Sequence, residues 1–162
     1  MARLTTPERA AGVLAACRSR GWMLATAESC TGGLVSAALT AVPGASDVVE
    51  RGVVTYTNSA KMELLGVPAD VLTRHGAVSA PVAEAMAAGM LARAPVQAAV
   101  AVTGVAGPSG GTALKPVGLV YVGVASVETQ PTHRRTVFAG DRDTVRGRTV
   151  DVALDLLLSL TA

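Results

Sequence analysis

The chain has 162 residues, half of them hydrophobic but only 2% aromatic, with 14 basic and 12 acidic residues for a formal charge of +2. That length fits one compact domain over residues 1–162, able to bury a core without disulfides or metals. The near-neutral balance, the lack of a block of like charge and the scarcity of aromatics exclude the electrostatic footprint and stacking platform of a nucleic-acid binder.

Thr5-Thr6-Pro7-Glu8 predicts a helix start, with capping-box spacing between Thr5 and Glu8 and Pro7 in the first turn. The helix should run to about Ser19 and end at Gly21. Residues 22–27 form a short apolar run that reads as a strand. Glu28-Ser29-Cys30-Thr31-Gly32-Gly33 interrupts it, and residues 34–41 resume as helix until Pro43-Gly44. This unit of strand, Gly-rich turn and helix places the turn at a strand's carboxyl end, where open α/β sheets bind ligands. A second strand is expected over 52–57, then a helix over 60–65 capped by Asn58 or Ser59, and a brief helical turn over 69–74. Ser79 should cap a helix running to about Arg93, with Pro95 as the stop. Residues 98–103 read as a buried strand, and 104–111 as a second Gly-rich loop. A strand over 117–127 and an antiparallel partner over 134–138 follow. A closing amphipathic helix over 143–160 is expected to bury Val145, Val152, Leu156 and Leu160.

The order α-β-α-β-α-α-β-β-β-α predicts an α/β fold. Specifically, it predicts three layers, α/β/α, around a mixed, mostly parallel sheet with a C-terminal antiparallel hairpin. No apolar stretch approaches the roughly 20 residues of a membrane span. The segment Met1 to Glu8 lacks the apolar run of a secretory signal. Cys17 and Cys30 make no CxxC pair and no metal-ligand cluster with His75 and His133. A reduced, cytoplasmic setting without metal or cofactor is therefore expected.

The first Gly-rich turn is the strongest candidate for chemistry. A nucleophile there sits at the positive end of a helix, where backbone N–H groups can hold an oxyanion. The same residues also read as a plain helix cap by Ser29 or Thr31. Cys30 is a second possible nucleophile if the helix lowers its thiol pKa, although free cysteines also serve as small buried apolar residues. Ser29 needs a base. His75 and His133 read as loop and turn residues. Lys61 falls near a helix start, where a cation is unfavourable, and shielding from water would push it further toward the neutral amine; an ordinary exposed lysine is the alternative. Tyr56 either hydrogen-bonds this pair, lines a pocket, or is a half-buried sheet tyrosine. The loop from Thr103 through Gly104 and Gly107 to Gly111 is neither a P-loop nor a GxGxxG fingerprint, but its amides could cradle a phosphate or oxyanion. Arg142 and Arg146 stand four apart and could grip a phosphate from one helical face, or simply be solvated.

Taken together, Thr26-Ala27-Glu28-Ser29-Cys30-Thr31-Gly32-Gly33, Tyr56 through Asn58 to Lys61, His75-Gly76-Ala77-Val78-Ser79 and Thr103-Gly104-Val105-Ala106-Gly107-Pro108 resemble the CinA C-terminal domain family. Lys115-Pro116-Val117-Gly118 and Phe138-Ala139-Gly140-Asp141-Arg142 continue the match over nearly the whole chain. The resemblance implies a stand-alone nicotinamide-nucleotide amidase that hydrolyses the carboxamide of nicotinamide mononucleotide without a cofactor. It also implies Ser29 as nucleophile, Lys61 as base and Tyr56 as a third catalytic residue. Thr31, Gly32, Gly33, Asn58, Thr103, Gly104, Gly107, Arg142 and Arg146 would bind the nucleotide substrate, and the protein would form at least a dimer. Leu114 stands where the family often has an acidic residue, and Ser109 replaces a usual glycine, so specificity could differ. A non-catalytic nucleotide-binding module, an amidase for another amide, and a structural subunit are the rival readings.

Overall fold

The computed structural model describes residues 3–162; Met1 and Ala2, which open the segment read above as lacking a secretory pattern, lie outside them. The elements run α1 (Thr6–Arg20), β1 (Leu24–Glu28), α2 (Leu34–Thr40), a 3-10 turn (Ala45–Asp47), β2 (Val49–Val54), α3 (Asn58–Leu65), α4 (Ala69–His75), α5 (Ala80–Arg93), β3 (Ala98–Gly104), β4 (Leu119–Ser126), β5 (Thr132–Val137) and α6 (Arg142–Thr161). Local chemistry sets most boundaries. Thr5 and Glu8 form the reciprocal capping box, and Gly21 closes α1 in the left-handed region. Ser79 accepts from the Val82 N–H at the start of α5, and Asp141 accepts from Thr144 at the start of α6. Three readings change. β2 lies three residues earlier than the expected 52–57, which leaves Tyr56 in the loop after it. α3 is capped by Thr57, whose side chain accepts from Ala60, so Asn58 and Ser59 lie inside the helix. The brief turn over 69–74 is a full helix, α4, and three helices rather than two separate β2 from β3.

The sheet order is β2-β1-β3-β4-β5. β1 pairs in parallel with β2 and β3, whereas β3–β4 and β4–β5 are antiparallel. Four strands thus point one way and β4 runs against them. Helices cover both faces, giving the three-layer α/β/α architecture: α1, α2 and α6 pack on one side and α3, α4 and α5 on the other.

Period-two alternation along the strands makes these faces unequal. Leu24, Val100, Val102, Val120, Val122 and Val124 point toward α1, α2 and α6. Ala25, Ala27, Ala99, Ala101 and Ala125 point toward α5. The small-residue face lets α5 lie close to the backbone: a Cβ on Gly123 of β4 would stand 2.3 Å from the Ala83 carbonyl oxygen. α5 in turn meets α3 at Gly89, where a Cβ would stand 1.9 Å from the Leu65 carbonyl oxygen. This explains how so few aromatics suffice, since close backbone approach replaces bulky filling.

The buried stripe of α6 is Val145, Thr149, Val150, Ala153, Leu154, Leu157 and Thr161. Of the expected stripe only Val145 is fully buried; Val152, Leu156 and Leu160 pack at its margin. The helix is rotated because α1 packs along its other flank, where the Arg9 guanidinium pairs with Asp155 at 2.8 Å. A stripe judged by apolarity alone ignores the threonines, whose hydroxyls bond the carbonyl four residues back and so can be buried.

Two mid-helix glycines separate propensity from packing. Gly147→Ala in α6, with nothing within 4 Å of the new Cβ, should raise stability by about 0.5–1 kcal/mol. Gly89→Ala gains the same propensity but meets the Leu65 carbonyl, so it should lower stability by about 1–3 kcal/mol. Thermal unfolding of both variants checks the pair, and equal shifts would contradict the close approach.

Candidate active site

β1 is flanked by β2 and β3, so the chain leaves it toward opposite sides, and the crevice at the carboxyl ends of β1 and β3 is where such sheets take ligands. At that edge Glu28 stands beside Val54 of β2 and Val102 of β3. The next residue, Ser29, donates its backbone N–H to Val102 O at 3.0 Å, and Gly32 N–H donates to Ser29 O at 3.0 Å. Positive φ values of 58° at Gly32 and 107° at Gly33 turn the chain into α2.

Lys61 is 1% exposed, and its Nζ donates to Ser29 Oγ at 3.1 Å and to Thr55 O at 2.9 Å. The base candidate is therefore a buried amine on the nucleophile candidate. It forms no ion pair among the described residues. Burial pushes its pKa below the ordinary lysine value, only partly opposed by the neighbouring Cys30. Burial pushes the Cys30 thiol up to about 11, so it stays protonated at neutral pH.

A cavity of about 290 Å³ opens over this pair. Ser29, Cys30, Tyr56, Asn58, Lys61, Thr103, Gly104, Gly107 and Arg142 line it, with Ala77, Val78 and the loop after β3 completing the wall. Thr103 is tied to that wall, donating its hydroxyl to Ala77 O at 2.8 Å. Tyr56 is exposed and makes no hydrogen bond to the Ser29–Lys61 pair; its hydroxyl accepts from Arg142 at 2.9 Å. Arg142 also donates to Gly107 O at 2.7 Å.

Of the remaining residues singled out from the motifs, all but Ser109 lie outside the cavity wall. Thr31, Gly32 and Gly33 form the turn itself. Arg146 diverges from Arg142 and grips that turn, donating to Cys30 O at 3.1 Å and Thr31 O at 3.3 Å. The two arginines share a helix but face different neighbours. His75 and His133 are exposed, the latter bonded to Glu84. Leu114 is 90% exposed, whereas Ser109 lines the cavity. Among the described residues no group of three or more His, Cys, Asp or Glu is placed to hold a metal ion, and no helix is long and apolar enough to cross a membrane.

Glu28 was the residue the motif reading passed over. It is 1% exposed. Its Oε1 accepts from Thr31 Oγ1 at 2.7 Å and from Val35 N–H at 2.8 Å, and its Oε2 accepts from Ser36 N–H at 3.0 Å. Neither Ser29 nor Thr31 caps α2, since the cap position is Gly33, with no side-chain bond of its own. The only signal in the sequence was that glycine, which leaves the first α2 amides in need of an acceptor.

The chain matches the CinA C-terminal domain family over residues 7–161. It is 53% identical over 137 residues to a CinA-like protein of Mycobacterium sp. (strain JLS), covering 85% of this chain and 32% of that one. A CinA-like protein of Anaeromyxobacter dehalogenans is 51% identical over 145 residues, covering 90% and 35%. The chain thus spans about a third of the length of the curated relatives it matches. Among solved structures, the competence/damage inducible protein CihA from Agrobacterium tumefaciens superposes with a TM-score of 0.95 at 44% identity over all of both chains.

A depressed lysine pKa has a definite consequence for stability. The folded protein binds the Lys61 proton less tightly than the unfolded chain does. The stability that goes with the neutral amine is therefore full above the ordinary lysine value and lost as pH falls through the folded-state value. Lys61→Met should be more stable than wild type at pH 7, and the gap should shrink as pH rises to 10. Urea unfolding at both values checks this; a gap that widens with pH would contradict it.

Proposed function

The chain belongs to the CinA C-terminal domain family, and from that premise we propose that it hydrolyses the carboxamide of nicotinamide mononucleotide to nicotinic acid mononucleotide and ammonia. The observation that carries the reading is the buried Lys61 amine, without a carboxylate partner among the described residues, 3.1 Å from Ser29 Oγ at an open cavity. A serine hydroxyl beside a neutral amine is the minimum equipment of a covalent acyl-transfer enzyme. The cavity volume is close to the lower end of small-molecule sites, about 300–1,000 Å³.

In this reading Lys61 takes the Ser29 hydroxyl proton as Oγ attacks the amide carbon. The carbonyl oxygen becomes an oxyanion. Cys30, Ala106 and Gly107 line the cavity, and their N–H groups, which donate to no backbone carbonyl among the described residues, are candidates to hold it. The C–N bond then breaks as Lys61 returns the proton to nitrogen, releasing ammonia. Water attacks the acyl-enzyme and gives its proton to Lys61, and the C–Oγ bond breaks with Ser29 reprotonated. Arg142, which lines the cavity, can take the phosphate, exchanging its neutral partners Tyr56 and Gly107 O for a charged one. Arg146 is already engaged by the turn. Tyr56 is then a wall and a partner for Arg142. Thr103 and Asn58 line the substrate's other flank. A homodimer or larger assembly belongs to the same proposal, and light scattering on the purified protein checks it.

Ammonia release from nicotinamide mononucleotide, with no metal added, tests the chemistry. Ser29→Ala and Lys61→Met should each lower kcat/KM by about 10³-fold or more. Because the neutral amine is the working form, wild-type activity should be present above the folded-state Lys61 pKa and fall as pH drops through it. Activity that survives Ser29→Ala would overturn the nucleophile; a folded wild type inert toward this nucleotide but active on another amide would overturn the substrate.

Arg142→Gln should raise KM by about tenfold or more with a smaller effect on kcat, matching the loss of a charge-assisted phosphate contact of about 1.5–3 kcal/mol. Steady-state kinetics on the nucleotide and on its dephosphorylated riboside distinguish the role: only the nucleotide's KM should rise.

A further inference from the structure

Glu28 is a buried charge whose side chain lies outside the cavity, yet it adjoins the nucleophile candidate in sequence. Its three hydrogen bonds all close on the segment that follows: the Thr31 hydroxyl inside the turn, and the Val35 and Ser36 N–H groups of α2. Those two amides occupy the second and third positions of a helix whose cap residue, Gly33, has no side chain to offer them. A carboxylate at that end is also favoured by the helix dipole. Its own carbonyl accepts the Thr55 N–H at 2.8 Å, and the Thr55 carbonyl in turn accepts Lys61 Nζ at 2.9 Å. One residue therefore fastens the Ser29 turn to α2 through its side chain and to the Lys61 segment through its backbone. Arg146 secures the outer side of the same turn at Cys30 O and Thr31 O.

We infer that Glu28 is a positioning residue: its carboxylate serves as the missing cap of α2 and so sets Ser29 Oγ on Lys61 Nζ. The inference rests on the Ser29–Lys61 reading above. Replacing one carboxylate oxygen by an amide puts a donor against a donor, because each oxygen accepts an N–H. A shift of the turn by a fraction of an ångström then misaligns the reacting atoms without touching the substrate wall.

The experiment compares Glu28→Gln with wild type in two readouts. Hydrogen exchange at the Val35 and Ser36 amides should accelerate at least tenfold while the sheet amides stay protected. Per folded molecule, kcat for nicotinamide mononucleotide should fall about 10- to 100-fold with KM within threefold of wild type. A purely structural carboxylate would lower the unfolding midpoint and leave kcat of the folded fraction unchanged, which would overturn the inference. So would a matched rise in KM that accounts for the loss, or unaltered exchange at the two amides. If Glu28→Gln does not fold, Thr31→Val removes one of the three bonds alone; it should lower kcat about three- to tenfold at constant KM, and an unchanged kcat would equally overturn the inference. Turnover lost in Ser29→Ala but intact in Glu28→Gln sinks the positioning role only. Turnover that survives Ser29→Ala, or no turnover by wild type, sinks the amidase reading, and with it any role for Glu28 in that reaction.

Discussion

A lysine amine enclosed by protein, with no carboxylate to meet it among the described residues, is the constraint around which this molecule is arranged. An ammonium in that position would be costly, and the usual relief, an ion pair, is missing among the described residues. Two acceptors remain, the Thr55 carbonyl and the Ser29 hydroxyl. Neither offsets a full charge, so the environment favours the neutral amine and, with it, a basic nitrogen on a serine oxygen. Stability and candidate chemistry are opposed here, as they commonly are where a pKa is displaced by burial.

Holding the amine there depends on packing some distance away. α3 carries Lys61, and α3 is seated on α5 at Gly89, where the Leu65 carbonyl occupies the space a side chain would fill. α5 is in turn drawn onto the sheet at Gly123 and along the alanine face of β1, β3 and β4. The valine face opposite supports α1, α2 and α6 through larger side chains. A chain of close backbone contacts therefore runs from the middle of the sheet to the amine, and small residues serve the site by setting where a helix can rest.

The nucleophile side is governed by hydrogen bonds instead. Ser29 lies on a turn with backbone bonds to Val102 and Gly32, flanked by Glu28 inside and Arg146 outside. Glu28 thus braces the turn through the Thr31 hydroxyl and the first α2 amides, and Arg146 through the Cys30 and Thr31 carbonyls, rather than through each other. Such an arrangement leaves the cavity-facing surface of the turn free, with only Ser29 and Cys30 in the wall.

Caps, breakers and periodicity act over a few residues, and they were legible in the chain itself. Thr5 and Glu8, Gly21, Ser79 and the nearly continuous apolar run over residues 98–103 announce α1, α5 and β3, and with them the α/β class. The candidate nucleophile and base could be picked out as residue types in suggestive settings, but nothing local decided between a buried Lys61 and an exposed one. That choice depends on the parallel register of β1 with β2 and on the seat of α3, which bring together residues 32 positions apart. Arg142 and Arg146 looked equivalent in sequence, yet one reaches the cavity and the other the back of the turn, because a helical turn separates them along α6: Arg142 opens the helix beside Gly107, and Arg146 lies one turn on, beside Cys30 and Thr31. The capless Gly33 signals that the first α2 amides need an acceptor but does not identify Glu28 as that acceptor, since the two meet only when the turn folds back. Short-range chemistry therefore determined the elements and the cast of reactive groups; tertiary burial and register, which no local pattern encodes, decided which of those groups meet and in what protonation state.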